Sequence, residues 1–312
     1  MYLVNIIKFK NFYHGKKTIS PWAVKALERT QDYLNLGEYS ANTTRNYLAE
    51  LRWLFACYSD TKPSQLTRQM TLDYLLYCSK TLGCSKVKNK MAANAFAFFF
   101  RQVLQQPYLL PNILFKAHSA RLPSVMSTEE IKTIIDSIAN IKHRAVMSFL
   151  YSTGMRLNEV ACLKIKDIDS MEMRVKVVAG KGKKDRYTLL SYTMLSELRA
   201  YWIADKPKEY LFNGKEKGKK YSARSIQHIL AQALIKTGLT GKHYTIHTFR
   251  HSFATHLLNN GTDLMTIKEL PGHSSLQQTM KYLHLSDRHT RKVINPYDLI
   301  QEKQTLMYEN EG

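Results

Sequence analysis

Residues 247–256 read HTFRHSFATH, placing His247, Arg250, His251 and His256 within ten positions, with Phe249 and Phe253 between them. His247 and Arg250 stand three apart, which on a helix means one face. An imidazole and a guanidinium on one face can grip an oxyanion. The same residues also fit a metal site with a bystander, or a wet helix surface. The metal reading is the weaker one, because the stretch has no HExxH pattern and His247 and His251 have no acid paired with them nearby. Cutting a phosphodiester needs a nucleophile, charge on the non-bridging oxygens and a proton for the leaving oxygen. Where no metal supplies these, the work falls to fixed cations and hydrogen-bond donors.

Residue types suited to that work recur along the chain. Arg156 lies in TGMRLNEV, with Glu159 three residues on. A guanidinium presents a planar fork to phosphate oxygens that lysine cannot mimic. The stretch AGKGKKDR crowds Lys181, Lys183, Lys184 and Arg186 into one turn. An ammonium there could protonate a departing oxygen. His273 lies in GHSS, and Tyr282 follows nine residues later in TMKYLHL. Imidazole titrates near neutrality and can donate to phosphate or shuttle a proton. A phenol, with a pKa near 10, is ionised in only about one molecule in a thousand at pH 7. Waiting for that form costs about 4 kcal/mol unless cations or a base assist. His251 and His256 read as structural residues, and Tyr244 as a packing residue.

TGMRLNEV, AGKGKKDR, HTFRHSFATHLL, GHSS and TMKYLHL occur in that order. Together they resemble the signatures of the tyrosine recombinase (phage integrase) family, and in particular its simple two-domain Xer-type and transposon integrases. The resemblance is strong over about 122–300. It is weaker over 21–110, where it matches the family's helical, SAM-like core-binding domain. It implies that Arg156, Lys181, His247, Arg250 and His273 are catalytic, that Tyr282 is the nucleophile and that Glu159 supports the first arginine. It further implies a covalent 3′-phosphotyrosyl link to DNA, a free 5′-hydroxyl and strand exchange in a tetramer, with no metal or nucleotide cofactor. The two domains would close as a clamp around duplex DNA. One departure stands out: ELPGH has Pro271 where the family usually has an apolar residue. It fits a helix stop beside Gly272, or a shift of His273 that lowers activity. A type IB topoisomerase-like relaxer shares the covalent tyrosine step. A DNA-binding clamp that has lost its chemistry is the non-enzyme alternative, and the full residue set argues against it.

The bulk numbers agree with a polyanionic partner. The chain has 312 residues, 44% of them apolar, and a net charge of +21. That length suits about two domains, and the apolar content can bury a core. The charge exceeds what solubility needs and points to nucleic acid rather than a membrane surface; the resemblance makes that partner double-stranded DNA. Residues 1–121 carry 17 Lys and Arg against 6 Asp and Glu, and the remaining 191 carry 29 against 19. Cys57, Cys78, Cys84 and Cys162 form no CxxC pair. They fit a reduced, cytoplasmic protein, and the resemblance to DNA-acting enzymes implies association with the nucleoid. The opening MYLVNIIKFK lacks a signal-peptide core, and no run approaches the roughly 18 apolar residues of a membrane span.

The elements that must position these residues follow from periodicity and caps. The expected fold is mainly α with a small antiparallel β-sheet: a helical core-binding domain and an α+β catalytic domain. Residues 1–20 read as a basic arm, 21–110 as four amphipathic helices, 111–123 as a proline-containing linker, 124–293 as the catalytic domain and 294–312 as a tail. Arg45 and the lysines Lys86, Lys88 and Lys90 are candidate DNA contacts in the first domain, as are Lys183, Lys184 and Arg186 in the second. Ser127 and Glu130 form a capping box. HRAVMSFLYSTGMRLNEVACLK reads as one helix, and MRVKVVAG with RYTLL as a hairpin. Phe249, Phe253, Leu257 and Leu258 would anchor the helix carrying His247 and Arg250. About 20 residues before the first domain leave no room for a separate arm-binding domain. Ile294, Tyr297, Leu299 and Ile300 could plug a neighbouring protomer. The DNA site and the need for a partner recombinase stay open.

Overall fold

In a computed structural model, the structure describes residues 19–108, 123–178, 185–214, 216, 218–272 and 275–283. The chain divides between Ala120 and Arg121 into two compact units.

The first unit is built from α1 (Pro21–Leu36), α2 (Ala41–Cys57), α3 (Arg68–Lys80) and α4 (Lys86–Phe98). Its helix starts are written in the sequence. Pro21 opens α1 at a position where a missing N–H costs nothing. Ser40, Thr67 and Ser85 each accept a backbone N–H three residues on. Apolar stripes then meet: Leu51, Leu54 and Phe55 of α2 pack with Phe96 and Phe99, and all five are at most 1% exposed. Each such side chain contributes about 2 kcal/mol on burial. The fourth helix does not end as a plain α-helix. It widens into a π-turn, Phe99–Val103, that turns Phe99, Phe100 and Val103 into the core. Tyr108 then stacks on Phe100 at 4.8 Å and shares a 2.7 Å hydrogen bond with Thr71.

The second unit surrounds a larger core. It comprises α5 (Thr128–Asp136), α6 (Ile141–Thr153), α7 (Leu157–Ala161) and β1 (Ile168–Asp169), then β2 (Arg174–Val177), β3 (Arg186–Leu189) and α8 (Tyr192–Asp205). It continues with α9 (Ala223–Lys236), α10 (Ile246–Asn259), α11 (Leu264–Glu269) and α12 (Leu276–Met280). The Ser127–Glu130 capping box is present at α5. The three strands form one antiparallel sheet in the order β1–β2–β3, with Val177 opposite Arg186. The expected hairpin is therefore there. Its tip, with Lys181, Lys183 and Lys184, lies outside the described residues, as do His273, the arm over 1–18 and the tail over 294–312.

The expected single helix through TGMRLNEV is two. Gly154, at φ +60°, ends α6 in the left-handed region, and Arg156 is the N-cap residue of α7. Two things force the break. Gly154 is the residue that adopts this backbone without a Cβ penalty. The Phe253 ring of α10 also fills the space a side chain would need, at 2.2 Å from an ideal Cβ.

Candidate active site

Helix α10 carries His247 and Arg250 and packs against α6. Phe249 is fully buried, and Phe253 and Leu258 are each 7% exposed, so the apolar residues do anchor this helix. Arg250 is itself 6% exposed. A buried guanidinium needs compensating acceptors, and the backbone supplies them. Its Nη1 donates to the carbonyls of Gly154 at 2.8 Å and Pro271 at 2.6 Å. These carbonyls follow the C-termini of α6 and α11, where helix dipoles are negative. Burial, then the nearby Arg156, push Arg250 down to about 10, so it stays charged at neutral pH. Its Nε and Nη2 have no hydrogen-bond partner among the described residues, leaving donors for an incoming oxyanion.

Arg156 points into the same space. Its Nη2 donates to Gly272 O at 2.5 Å and its Nη1 to Glu159 Oε1 at 2.9 Å. Glu159 also caps the Arg156 backbone N–H at 2.8 Å. Burial alone would push the Glu159 carboxyl up. Hydrogen bonds from Arg186 and the Arg156 backbone, with the Arg186 charge, hold it below the usual carboxylate range. Glu159 is thus an ionised post between two arginines.

Arg186 is placed differently from the expected DNA contact at a hairpin tip. It begins β3, and its guanidinium turns inward onto Glu159 and onto Leu270 O at 3.1 Å. The cause is the strand register, which sets Arg186 beside Val177 and over the turn after α11. Gly272, at φ +74°, makes room: a Cβ there would lie 2.6 Å from Arg186 Nε.

That turn is where Pro271 sits. Helix α11 does stop beside it, although Leu270 keeps helical angles (φ −54°, ψ −57°) that a following proline disfavours. The carbonyls of Pro271 and Gly272 serve Arg250 and Arg156 respectively.

Tyr282 is 2% exposed and packs in a small cluster with Ala254, Leu258 and Ile267. Burial raises its pKa, and the Arg250 charge opposes that rise. His251 Nδ1 lies 2.9 Å from its hydroxyl. By sequence pattern alone His251 reads as a structural residue. The available signal was its position one helical turn after His247 and next to Arg250, but a contact across 31 residues leaves no local pattern. His256 is a structural partner, its Nδ1 2.9 Å from the Tyr151 hydroxyl. Tyr244 packs as expected and donates to Glu130. His247 is exposed at the start of α10. Arg45, Lys86, Lys88 and Lys90 are exposed on α2 and α4 of the first unit. Among the described residues, no cluster of three or more His, Cys, Asp or Glu is placed to hold a metal ion, and no helix is long and apolar enough to cross a membrane.

Comparison with known proteins supplies a frame for this geometry. The model of the phage integrase family matches residues 124–289, and that of the phage integrase N-terminal SAM-like domain matches residues 26–109. A Sinorhizobium fredii protein named as an integrase/recombinase is 32% identical over 88% of this chain and 88% of its own length. Tyrosine recombinase XerC of Lactobacillus delbrueckii subsp. bulgaricus is 32% identical, over 72% of this chain and 80% of its own. Among solved structures, the XerH site-specific recombinase bound to its palindromic difH substrate superposes with a TM-score of 0.66. It is 22% identical, over 92% of each chain, and supports the fold.

Proposed function

Because the chain belongs to the phage integrase family, we propose that it cuts and rejoins DNA at Tyr282, with Arg156 and Arg250 clamping the scissile phosphate. It is a tyrosine-type site-specific recombinase, an enzyme that acts on DNA. The observation that carries the residue assignment is the electrostatic neighbourhood of Tyr282: a buried phenol beside the buried cation Arg250, itself coupled to Arg156.

In this reading the phosphate enters between the two guanidinium groups and accepts their remaining donors. The arginines neutralise charge that builds on the non-bridging oxygens as Tyr282 attacks. Their forks are fixed by backbone carbonyls and Glu159 before DNA arrives, so little reorganisation is needed. Lys181 gives a proton to the departing 5′-oxygen, and His247 and His273 hydrogen-bond the phosphate. The product is a 3′-phosphotyrosyl link with a free 5′-hydroxyl, and attack by a second 5′-hydroxyl reverses it. The reaction uses neither metal nor ATP. Residues 21–110 serve as the core-binding domain, 111–123 as linker, 124–293 as catalytic domain and 294–312 as a tail that docks on a neighbour in a tetrameric synapse, with or without a partner recombinase. The site of action is the nucleoid in the cytoplasm.

Covalent trapping tests this reading. Purified protein is mixed with sheared genomic DNA from its own source in EDTA and stopped with SDS. Protein-linked DNA is expected for the wild type and none for Tyr282→Phe. An adduct of equal yield in that variant would displace Tyr282 from the role.

A further inference from the structure

Residue 251 is the group nearest the reacting oxygen that the residue assignment above leaves without a role. We propose that His251 is a further catalytic residue, whose Nδ1 takes the Tyr282 hydroxyl proton as the phenol oxygen attacks phosphorus and returns it on rejoining. The proposal rests on Tyr282 being the nucleophile.

Geometry carries it first. Nδ1 and the phenol oxygen are 2.9 Å apart, a hydrogen-bond distance and the reach required of a general base. Both partners are held. The His251 backbone is inside α10, flanked by buried Arg250 and Ser252. The Tyr282 ring packs against Ala254 and Leu258 of the same helix and Ile267 of α11. The phenol is therefore fixed in a buried cluster, and the half-buried imidazole meets it from α10.

Chemistry supplies the need. Burial makes the phenol a weaker acid than in water, so spontaneous phenolate is scarcer than the ordinary one in a thousand or so at pH 7. An acceptor is required, and a neutral imidazole has a lone pair to offer. His251 is neutral at physiological pH: burial first, then the neighbouring basic side chains of His247 and Arg250 on its own helix and Lys281 after α12, push it down to about 4. Among the described residues, Tyr282 completes the titratable set facing it. Such a base is weak while the protein is free. A phosphodiester arriving between Arg156 and Arg250 brings negative charge, offsets those cations and raises the imidazole's affinity for a proton. The nucleophile is thus kept protonated off DNA and is activated by the substrate itself.

The step balances. The Tyr282 Oη–P bond forms and the P–O5′ bond breaks. The phenol proton passes to His251 Nδ1, and the 5′-oxygen leaves with a proton from a separate donor, Lys181 in the reading above. Rejoining runs both transfers backwards.

The test measures adduct formation against pH, from 5.5 to 9.5 at about one-unit steps, for wild type, Tyr282→Phe, His251→Asn and His251→Ala on the same sheared genomic DNA. Asparagine keeps an acceptor oxygen near the Nδ1 position but cannot take a proton. His251→Asn should lose about 100-fold in rate at pH 7 and recover as pH rises and phenolate forms. Added imidazole should partly restore His251→Ala. His251→Asn within about threefold of wild type at every pH would overturn the proposal. So would a loss that neither high pH nor imidazole relieves, because that is the behaviour of a packing residue. Adduct from Tyr282→Phe would instead strike at the nucleophile assignment.

Discussion

Arg186 holds Glu159 with both terminal nitrogens, Nη1 to Oε1 at 2.9 Å and Nη2 to Oε2 at 2.8 Å. Glu159 in turn bonds Arg156 twice, once through the side chain and once through the backbone. Arg186 therefore positions Arg156, the arginine proposed to clamp the phosphate, through Glu159. Both the Arg186 and Glu159 side chains are nearly buried, at 13% and 10% exposure. Removing one partner of a buried pair strands the other charge. Arg186→Ala is expected to cost about 3 kcal/mol in chemical denaturation. Arg186→Lys, which keeps the charge but cannot span both oxygens, should cost less, yet still cut adduct formation about tenfold with duplex affinity little changed. Affinity and adduct falling together would mean that Arg186 contacts DNA after all.

Gly154 joins the fold to the site. Its φ of +60° and the Phe253 ring leave no room for a methyl group, and its carbonyl receives Arg250. Gly154→Ala should destabilise the protein by about 2 kcal/mol or more, through backbone strain and the displaced ring. Adduct formation per folded molecule should fall as well, because the shifted carbonyl of residue 154 no longer holds Arg250 in place. Thermal melts paired with trapping assays check both halves.

Acid should weaken the protein in a defined window. His251 is depressed from 6.5 to about 4 in the fold. The unfolded chain therefore binds the extra proton first as pH falls. The stability contribution is complete above about 6.5 and drains away between there and about 4. Glu159 is depressed too, so its contribution is present above the ordinary carboxylate range and is lost below it. Melting temperature should thus begin to fall below about pH 6.5, and His251→Asn should flatten the first part of that fall. An unchanged slope in this variant would exclude His251 as its source.

Lys86, Lys88 and Lys90 occupy the first turn and a half of α4. Cations are disfavoured at a helix N-terminus, so helix stability does not explain them. Lys88 does stabilise the ionised form of nearby Glu50, and phosphate contact is the role proposed for the set. Replacing all three with glutamine should leave the melting temperature level or higher. It should weaken binding to unrelated duplexes uniformly and reduce the salt-dependence slope by roughly 2 to 3. An unaltered slope would remove these lysines from the DNA face.

Much of this was readable in the chain, and what was not has a common cause. Ser40, Thr67, Ser85 and Ser127 announced their helices through local hydrogen bonds, and alternation in MRVKVV and RYTLL announced the hairpin. Arg156, Arg250 and Tyr282 stood out by residue type within ordered motifs. Periodicity ran one helix through Gly154 because the ring that excludes a side chain there comes from Phe253, 99 positions away. Arg186 looked like another tip cation because its carboxylate partner lies 27 residues earlier. His251 looked like packing because its partner phenol lies 31 residues later. Local rules see caps and stripes; contacts made by the closing of the fold do not register in them.

Peptide mapping of the trapped adduct tests the central claim most directly. The SDS-stopped complex is digested with nuclease and trypsin, and nucleotide-bearing peptides are sequenced by mass spectrometry. Cleavage after Lys281 and Arg288 gives YLHLSDR, in which Tyr282 is the sole tyrosine. The account predicts a nucleotide on the phenol oxygen of that peptide. A nucleotide on any other residue would contradict it.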